Sequence, residues 1–149
     1  MERTASCLCG DLRITVEGEP ARVNMCNCTE CQRRSGSAFQ LGAFFDEGQM
    51  KSVEGAFNVY SRTGGSGNLI DLHFCPNCGV SVFFRPQARP TVLGIHVGCF
   101  ADPDFPSPQT AKIGAGAGVG LSVRIGGGVP EPLHQPMLRS GSAAPLPAT

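Results

Sequence analysis

The chain has no tryptophan, a single tyrosine and no excess of either charge, since 12 lysines and arginines balance 12 aspartates and glutamates. A neutral chain has little with which to hold a phosphate backbone, and with aromatic residues at 7% it has little on which to stack bases. A nucleic-acid-binding zinc ribbon is therefore the weakest functional class. No apolar run approaches the ~20 residues that a membrane-spanning helix needs, so no membrane partner is expected. The opening Met1-Glu2-Arg3-Thr4-Ala5-Ser6 lacks the apolar segment of a secretory signal and runs straight into Cys7, which makes a cytoplasmic location the default. Helical periodicity is missing as well: no stretch of helical length repeats its apolar residues about every 3.6 positions. The expectation is one small domain, all-β or nearly so, built from short antiparallel strands.

Cysteine, by contrast, is abundant and clustered, with eight residues in the chain. In a reducing compartment, C-x-C and C-x-x-C spacings favour metal thiolates; a framework of four disulfides is the competing reading for a secreted chain. The segment Met25-Cys26-Asn27-Cys28-Thr29-Glu30-Cys31-Gln32-Arg33-Arg34-Ser35-Gly36 places three thiols within six residues and follows them with two arginines and a glycine turn. Packing gives a buried cysteine no reason to recur at such intervals, whereas zinc wants several thiolates at about 2.3 Å in a tetrahedron. Three ligands leave a fourth position vacant, which is what separates zinc sites that perform chemistry from those that only hold a fold.

Around this loop the chain alternates. Cys7-Leu8-Cys9-Gly10 stands just before a strand in which Leu12, Ile14 and Val16 share one face. After the Gly18-Glu19-Pro20 turn, Ala21, Val23 and Met25 alternate again and lead into the central cysteines. Further strands are expected over 38–45, 57–61, 69–74, 80–84 and 92–97, and Cys75-Pro76-Asn77-Cys78-Gly79 has the form of a zinc knuckle at a hairpin tip. From Ala111 the composition changes: the remainder holds eight glycines and five prolines and no aromatic residue, so the domain is placed at 1–110 and 111–149 is read as a weakly ordered tail. Alternation of Val119, Leu121, Val123 and Ile125 allows one weak strand there.

Four ligands per ion restricts the pairing. Cys7, Cys9, Cys75 and Cys78 make one complete set, stapling the N-terminal strand to the later hairpin, and Cys26, Cys28 and Cys31 remain as a second set. Joining the central three to a cysteine of another cluster would strand an unpaired thiol and ranks lower. A closed four-cysteine site contributes on the order of 10 kcal/mol to a small zinc domain.

Ser6-Cys7-Leu8-Cys9-Gly10, Cys26-Asn27-Cys28-Thr29-Glu30-Cys31-Gln32-Arg33 with Ser35-Gly36, Phe74-Cys75-Pro76-Asn77-Cys78-Gly79 and Val97-Gly98-Cys99-Phe100-Ala101-Asp102-Pro103 together resemble the motifs of the glutathione-dependent formaldehyde-activating enzymes, the GFA or CENP-V/GFA family with the Mss4-like fold. The resemblance covers roughly residues 5 to 108. Asn27 stands where that family usually has histidine, Cys99 and Phe100 replace commoner residues, and the tail lacks the family's aromatic closing strands. The resemblance implies two zinc ions per chain, the first structural and the second exchangeable and catalytic. It further implies a carbon–sulfur lyase acting on adducts of a small thiol such as glutathione with a small carbonyl such as formaldehyde. A zinc-stapled, non-catalytic binding module of Mss4-like fold is the alternative.

For the enzyme reading, a thiol at the vacant position would lose its proton at neutral pH and attack the carbonyl, so Cys26, Cys28 and Cys31 are the catalytic set. Arg33, ahead of Arg34, is expected to hold a substrate carboxylate, helped by N–H groups of the Ser35-Gly36-Ser37 turn. His73 and His96 fall within strand patterns and are read as structural, and Cys99 as a buried inert thiol.

Overall fold

The computed structural model describes residues 1–64 and 67–112; the alternating segment from Val119 to Ile125 lies outside them. The elements run β1 (Glu2–Ser6), β2 (Arg13–Glu17), β3 (Arg22–Cys26), α1 (Thr29–Ser35), β4 (Gln40–Asp46), β5 (Met50–Glu54), β6 (Asn58–Thr63), β7 (Leu69–Phe74), β8 (Ser81–Pro86), β9 (Val92–His96) and β10 (Thr110–Lys112). One sheet has the order β1-β2-β5 and the other β10-β3-β4-β9-β8-β7-β6. Every pairing is antiparallel except β10 against β3, so the fold is mainly β, as the period-two alternation implied.

Four elements had no clear signal. β1 buries only Ala5 and is held by its register on β2, where the Thr4 and Thr15 hydroxyls meet at 2.9 Å. β5 pairs with the other edge of β2. β10 crosses the boundary set at residue 110 and lies parallel to β3 over three residues. The central cysteine segment, expected as a loop, winds into α1, whose seven residues are too short to show a repeat. Gly36 ends it at φ 63°, a left-handed conformation that closes helices cheaply only without a Cβ.

One buried cluster draws on both sheets: Leu12, Ile14 and Val16 from the first, and Val23, Ala43, Phe45, Val82, Phe83, Leu93 and Ile95 from the second. Full burial of each such aliphatic or phenyl group stabilises by about 1.5–3 kcal/mol, and a core this size leaves room for further support. Cys7 and Cys75 belong to that cluster. On β9, Gly94 lies under Phe84; a Cβ there would come within 2.2 Å of the ring. The bare backbone lets Phe84 settle beside His96, 5.3 Å between centroids, and under the guanidinium of Arg34 at 5.1 Å. A packing choice in the sheet thus shapes the site.

Candidate metal centres and the adjoining cleft

Two tight turns present the first set of thiols. In one, the Cys7 N–H donates to the Leu12 carbonyl and the Gly10 N–H to the Cys7 carbonyl; in the other, Cys75 N–H donates to Val80 and Gly79 N–H to Cys75. Gly10 and Gly79 adopt φ of 81° and 74°, which tip backbone N–H groups toward sulfur, and the Leu12 N–H lies 3.2 Å from the Cys7 sulfur. The sulfurs of Cys7, Cys9, Cys75 and Cys78 all lie within 4.8 Å of one another. Cys7 to Cys9 is 3.4 Å and Cys9 to Cys75 is 3.6 Å. A tetrahedron with metal–sulfur bonds of about 2.3 Å has edges of about 3.8 Å, so the set fits a metal such as zinc. N–H groups of Val80 and Cys9 pull the Cys78 thiol down to about 6, towards the thiolate a metal binds. All eight cysteines are free, and none forms a disulfide.

Cys26 ends β3, while Cys28 precedes α1 and Cys31 lies in its first turn. Their sulfurs too lie within 4.8 Å of one another, and among the described residues no fourth His, Cys, Asp or Glu joins them. Burial, with Cys26 and Cys28 close by, pushes the Cys31 thiol up to about 12. Burial would raise Cys28 as well, but the N–H groups of Cys31 and Glu30 and the neighbouring thiols bring it below its usual value. Three sulfurs this close resist sharing negative charge unless a cation joins them, and a thiolate-binding metal supplies that cation.

Beside the three sulfurs lies a small pocket of about 110 Å³, which Cys26 and Cys31 line together with Arg34, Gln40 and Arg62. A larger cleft of about 840 Å³ opens beyond it, and Arg34 and Gln40 line both. Apolar walls come from Phe39, Leu41, Leu72 and Phe74, with Ser81 and His96 as polar groups among them. Arg34 is held below its usual pKa, chiefly by burial and further by Arg62, while the three thiols oppose the shift. It donates through Nη2 to Gln40 Oε1. The Nε atoms of Arg34 and Arg62 are both buried without a protein partner among the described residues.

Arg33, expected to face a substrate, is instead 79% exposed and pairs with Glu30 along the helix at 3.3 Å. The residue that reaches the pocket is Arg34, because one step along α1 turns the side chain by about 100°. Ser35 lines the cleft, but its hydroxyl donates to the Cys31 carbonyl at 2.8 Å and accepts from the Ser37 N–H at 3.2 Å, so this turn is engaged with itself. Gly36 serves as the helix end and is exposed. Asn27 is buried between its two cysteines, at 5% exposure. Cys99 sits by the first cluster rather than the second: its sulfur faces the Ser81 carbonyl at 3.6 Å, and burial, then Cys7 and Cys78, raise it to about 11. His73 is buried and stacks on Phe83, but its Nδ1 is buried without a hydrogen-bond partner among the described residues. Gln40 and Arg62 carried no motif; only the register that sets Gln40 opposite Cys26 reveals the first.

A family model described as glutathione-dependent formaldehyde-activating enzyme matches residues 2–113. Among solved structures, a Rhodobacter sphaeroides protein is similar with a TM-score of 0.55 and 24% identity, the match covering 73% of this chain and 99% of the other. At that identity the likeness is one of fold.

Proposed function

The chain belongs to the glutathione-dependent formaldehyde-activating enzyme family, and from that premise we propose that it is a zinc-dependent enzyme of the carbon–sulfur lyase type, acting on adducts of a small thiol such as glutathione with a small carbonyl such as formaldehyde. The observation that carries the reading is the three-sulfur centre, which lacks a fourth protein donor among the described residues and adjoins a cleft through Arg34 and Gln40. Cys26, Cys28 and Cys31 would hold an exchangeable zinc there, and Cys7, Cys9, Cys75 and Cys78 a structural one. The exchangeable metal would make a thiol at the vacant position a thiolate at neutral pH.

The chain's own groups supply the rest. Three cysteinates outweigh a divalent cation by one negative charge, and the guanidinium of Arg34 beside them offsets it. Arg34 and Arg62, with donors still unpaired at Nε, suit a substrate carboxylate. Phe39, Leu41 and Phe74 limit water around the reacting atoms. Free thiols throughout accord with a reducing, cytoplasmic setting, and among the described residues no helix is long and apolar enough to cross a membrane.

The test is thiol-dependent consumption of formaldehyde by the zinc-loaded protein and its Cys28→Ser variant. Loss in the variant with an unchanged circular dichroism spectrum is expected; full retention would sink the reading. A second reading, a non-catalytic binding module, draws on the exposed Phe57, Val59, Tyr60 and Leu69 around the outermost strand β6. It predicts a wild-type protein that consumes no carbonyl with any thiol.

A further inference from the structure

The donors and acceptors along the cleft wall fix the protonation of one ring. Arginine carries donors only, so the Gln40 atom facing Arg34 Nη2 is the oxygen, Oε1. This turns the Gln40 amide nitrogen toward His96, where Nε2 lies 2.7 Å from Nδ1. An amide nitrogen donates and does not accept, so Nδ1 is the bare nitrogen and the ring proton is on Nε2. That Nε2 is 3.3 Å from the Ser81 hydroxyl, whose other neighbour is the His73 carbonyl at 3.5 Å, a long contact that leaves the hydroxyl proton free for a better acceptor. His96 and Ser81 both line the cleft.

The chain of contacts starts at the metal-centre pocket and ends in the cleft. Gln40 stands opposite Cys26 in the β3–β4 register, and His96 opposite Gly42 on the far side of β4. Burial, and after it Arg34 as the charged group facing the ring, hold His96 neutral, with its pKa pushed down to about 3.

Resting on the function proposed above, we propose that His96, fixed as its Nε2–H tautomer by Gln40, binds the oxygen of the carbonyl or hemithioacetal in the cleft, with the Ser81 hydroxyl as the second donor. In the addition, the thiolate sulfur forms a bond to the carbonyl carbon and the C=O π pair moves onto oxygen. The two donors stabilise the charge that develops there, and the proton that completes the hydroxyl is the one the thiol gave up on becoming thiolate, carried by cleft water, so that His96 keeps its own. Cleavage of the adduct runs these steps backwards, returning the proton to water. His96 touches the substrate oxygen; Gln40 is a positioning residue that acts through it.

The zinc-loaded full chain, labelled with nitrogen-15 at histidine, tests this directly, the His96 signals being assigned from a His96→Gln variant. S-acetylglutathione serves as the probe, a slowly hydrolysed adduct mimic with its carbonyl oxygen on the sulfur-bound carbon, where the hemithioacetal has its hydroxyl. The expected result is a proton on Nε2 throughout pH 5 to 8 and an Nε2 resonance that moves when millimolar probe is added. In Gln40→Glu the carboxylate faces Nδ1 and draws the proton to it, and kcat should fall about 10²-fold with KM within about threefold, the effect of removing one oxyanion donor. His96→Gln, which keeps an N–H donor, should retain more activity than His96→Ala. Should the alanine variant not fold, Gln40→Glu and His96→Gln carry the comparison.

A wild-type proton on Nδ1, or an Nε2 resonance unmoved by the probe, would overturn the proposal. So would full kcat in Gln40→Glu and His96→Ala while Cys28→Ser is inactive, and in that case the proposed function would stand without it. A wild-type chain with no thiol-dependent turnover would remove the function, and the probe titration alone would then decide the role of His96.

Discussion

The two cysteine sets share a donor chemistry and differ in everything around it. Cys7 and Cys75, 4% and 0% exposed, are part of the core, and the contact of Cys9 with Cys75 joins positions 66 residues apart. Cys26, Cys28 and Cys31 come from six consecutive residues, two of them half-buried, at a strand end and the first turn of a short helix. A metal that closes a long loop removes much freedom from the unfolded chain, whereas one bound within six residues removes little. Four donors complete a tetrahedron, while three leave an opening beside a cleft. The same thiolate chemistry is therefore suited to stability in one place and to reactivity in the other.

The strongest way to break this contrast is Cys78→Ser. It leaves the four-donor set with one weak ligand, and on the order of 10 kcal/mol of metal-linked folding energy is exposed to loss. The expected outcome is a protein with collapsed thermal unfolding and depleted zinc. Unchanged melting and metal content would show that the first set does not hold the sheets together.

Cys28→Ser is the matching change in the other set. Its melting temperature should move by only a few degrees, since the removed metal closes a short segment, while thiol-dependent carbonyl consumption disappears. If both serine variants unfold alike, the division between a stabilising and a reactive centre is lost.

How much of this was legible beforehand follows the same division. The grouping of Cys7, Cys9, Cys75 and Cys78 could be read because tetrahedral coordination counts to four and because C-x-C-G and C-P-x-C-G turns announce themselves. The strands were legible wherever one face is buried, as with Ile14 and Val16 in β2. β1 gave no such signal, its threonine and serine alternating with one small buried alanine. The helix α1 was invisible to periodicity at seven residues, and with it the facing of its arginines, so Arg33 was preferred although the helix turns it outward. Gln40 and His96 meet through the register of β4 on β9, strands distant in sequence, and no local pattern encodes that.

Cobalt substitution sharpens the contrast without disturbing the fold. Visible absorption of the central-site cobalt should change when glutathione is added, because a vacant position accepts a ligand, while the four-sulfur site stays as it was. In Cys28→Ser the thiol-dependent change should vanish. Bands indifferent to every small thiol would favour the binding module.

Acid should separate the two sides more gently. The His96 pKa, about 3 when folded, lies below the ordinary histidine value of ~6.5, so the unfolded chain takes up the proton first. Stability from this ring is complete above about pH 6.5 and declines as pH falls, by at most about 1.4 kcal/mol per unit and less for a ring that keeps some solvent. His73, lowered by burial and then Arg85, acts in the same direction. Cysteine protonation weakens both metal sites in any variant, so the informative quantity is a difference: between pH 7 and 5, His96→Gln should lose less stability than wild type. An identical slope would show that His96 is not kept neutral by its surroundings.

The smallest expected effect comes from the C-terminal side. Ending the chain after Ile113 removes a segment rich in glycine and proline with no aromatic residue, so the melting temperature should barely change. Ending it after Gln109 is different in kind, because it removes β10, which lies parallel to β3 with Lys112 opposite Cys26. The lost backbone pairing borders a ligand of the central set and touches none of the first, so the shorter truncation should leave the four-cysteine metal in place while the central metal exchanges faster with a chelator. Release of both metals at equal rates would mean that β10 supports the whole sheet rather than the reactive side of it. A large loss of stability already at Ile113 would assign the removed segment a share in the fold.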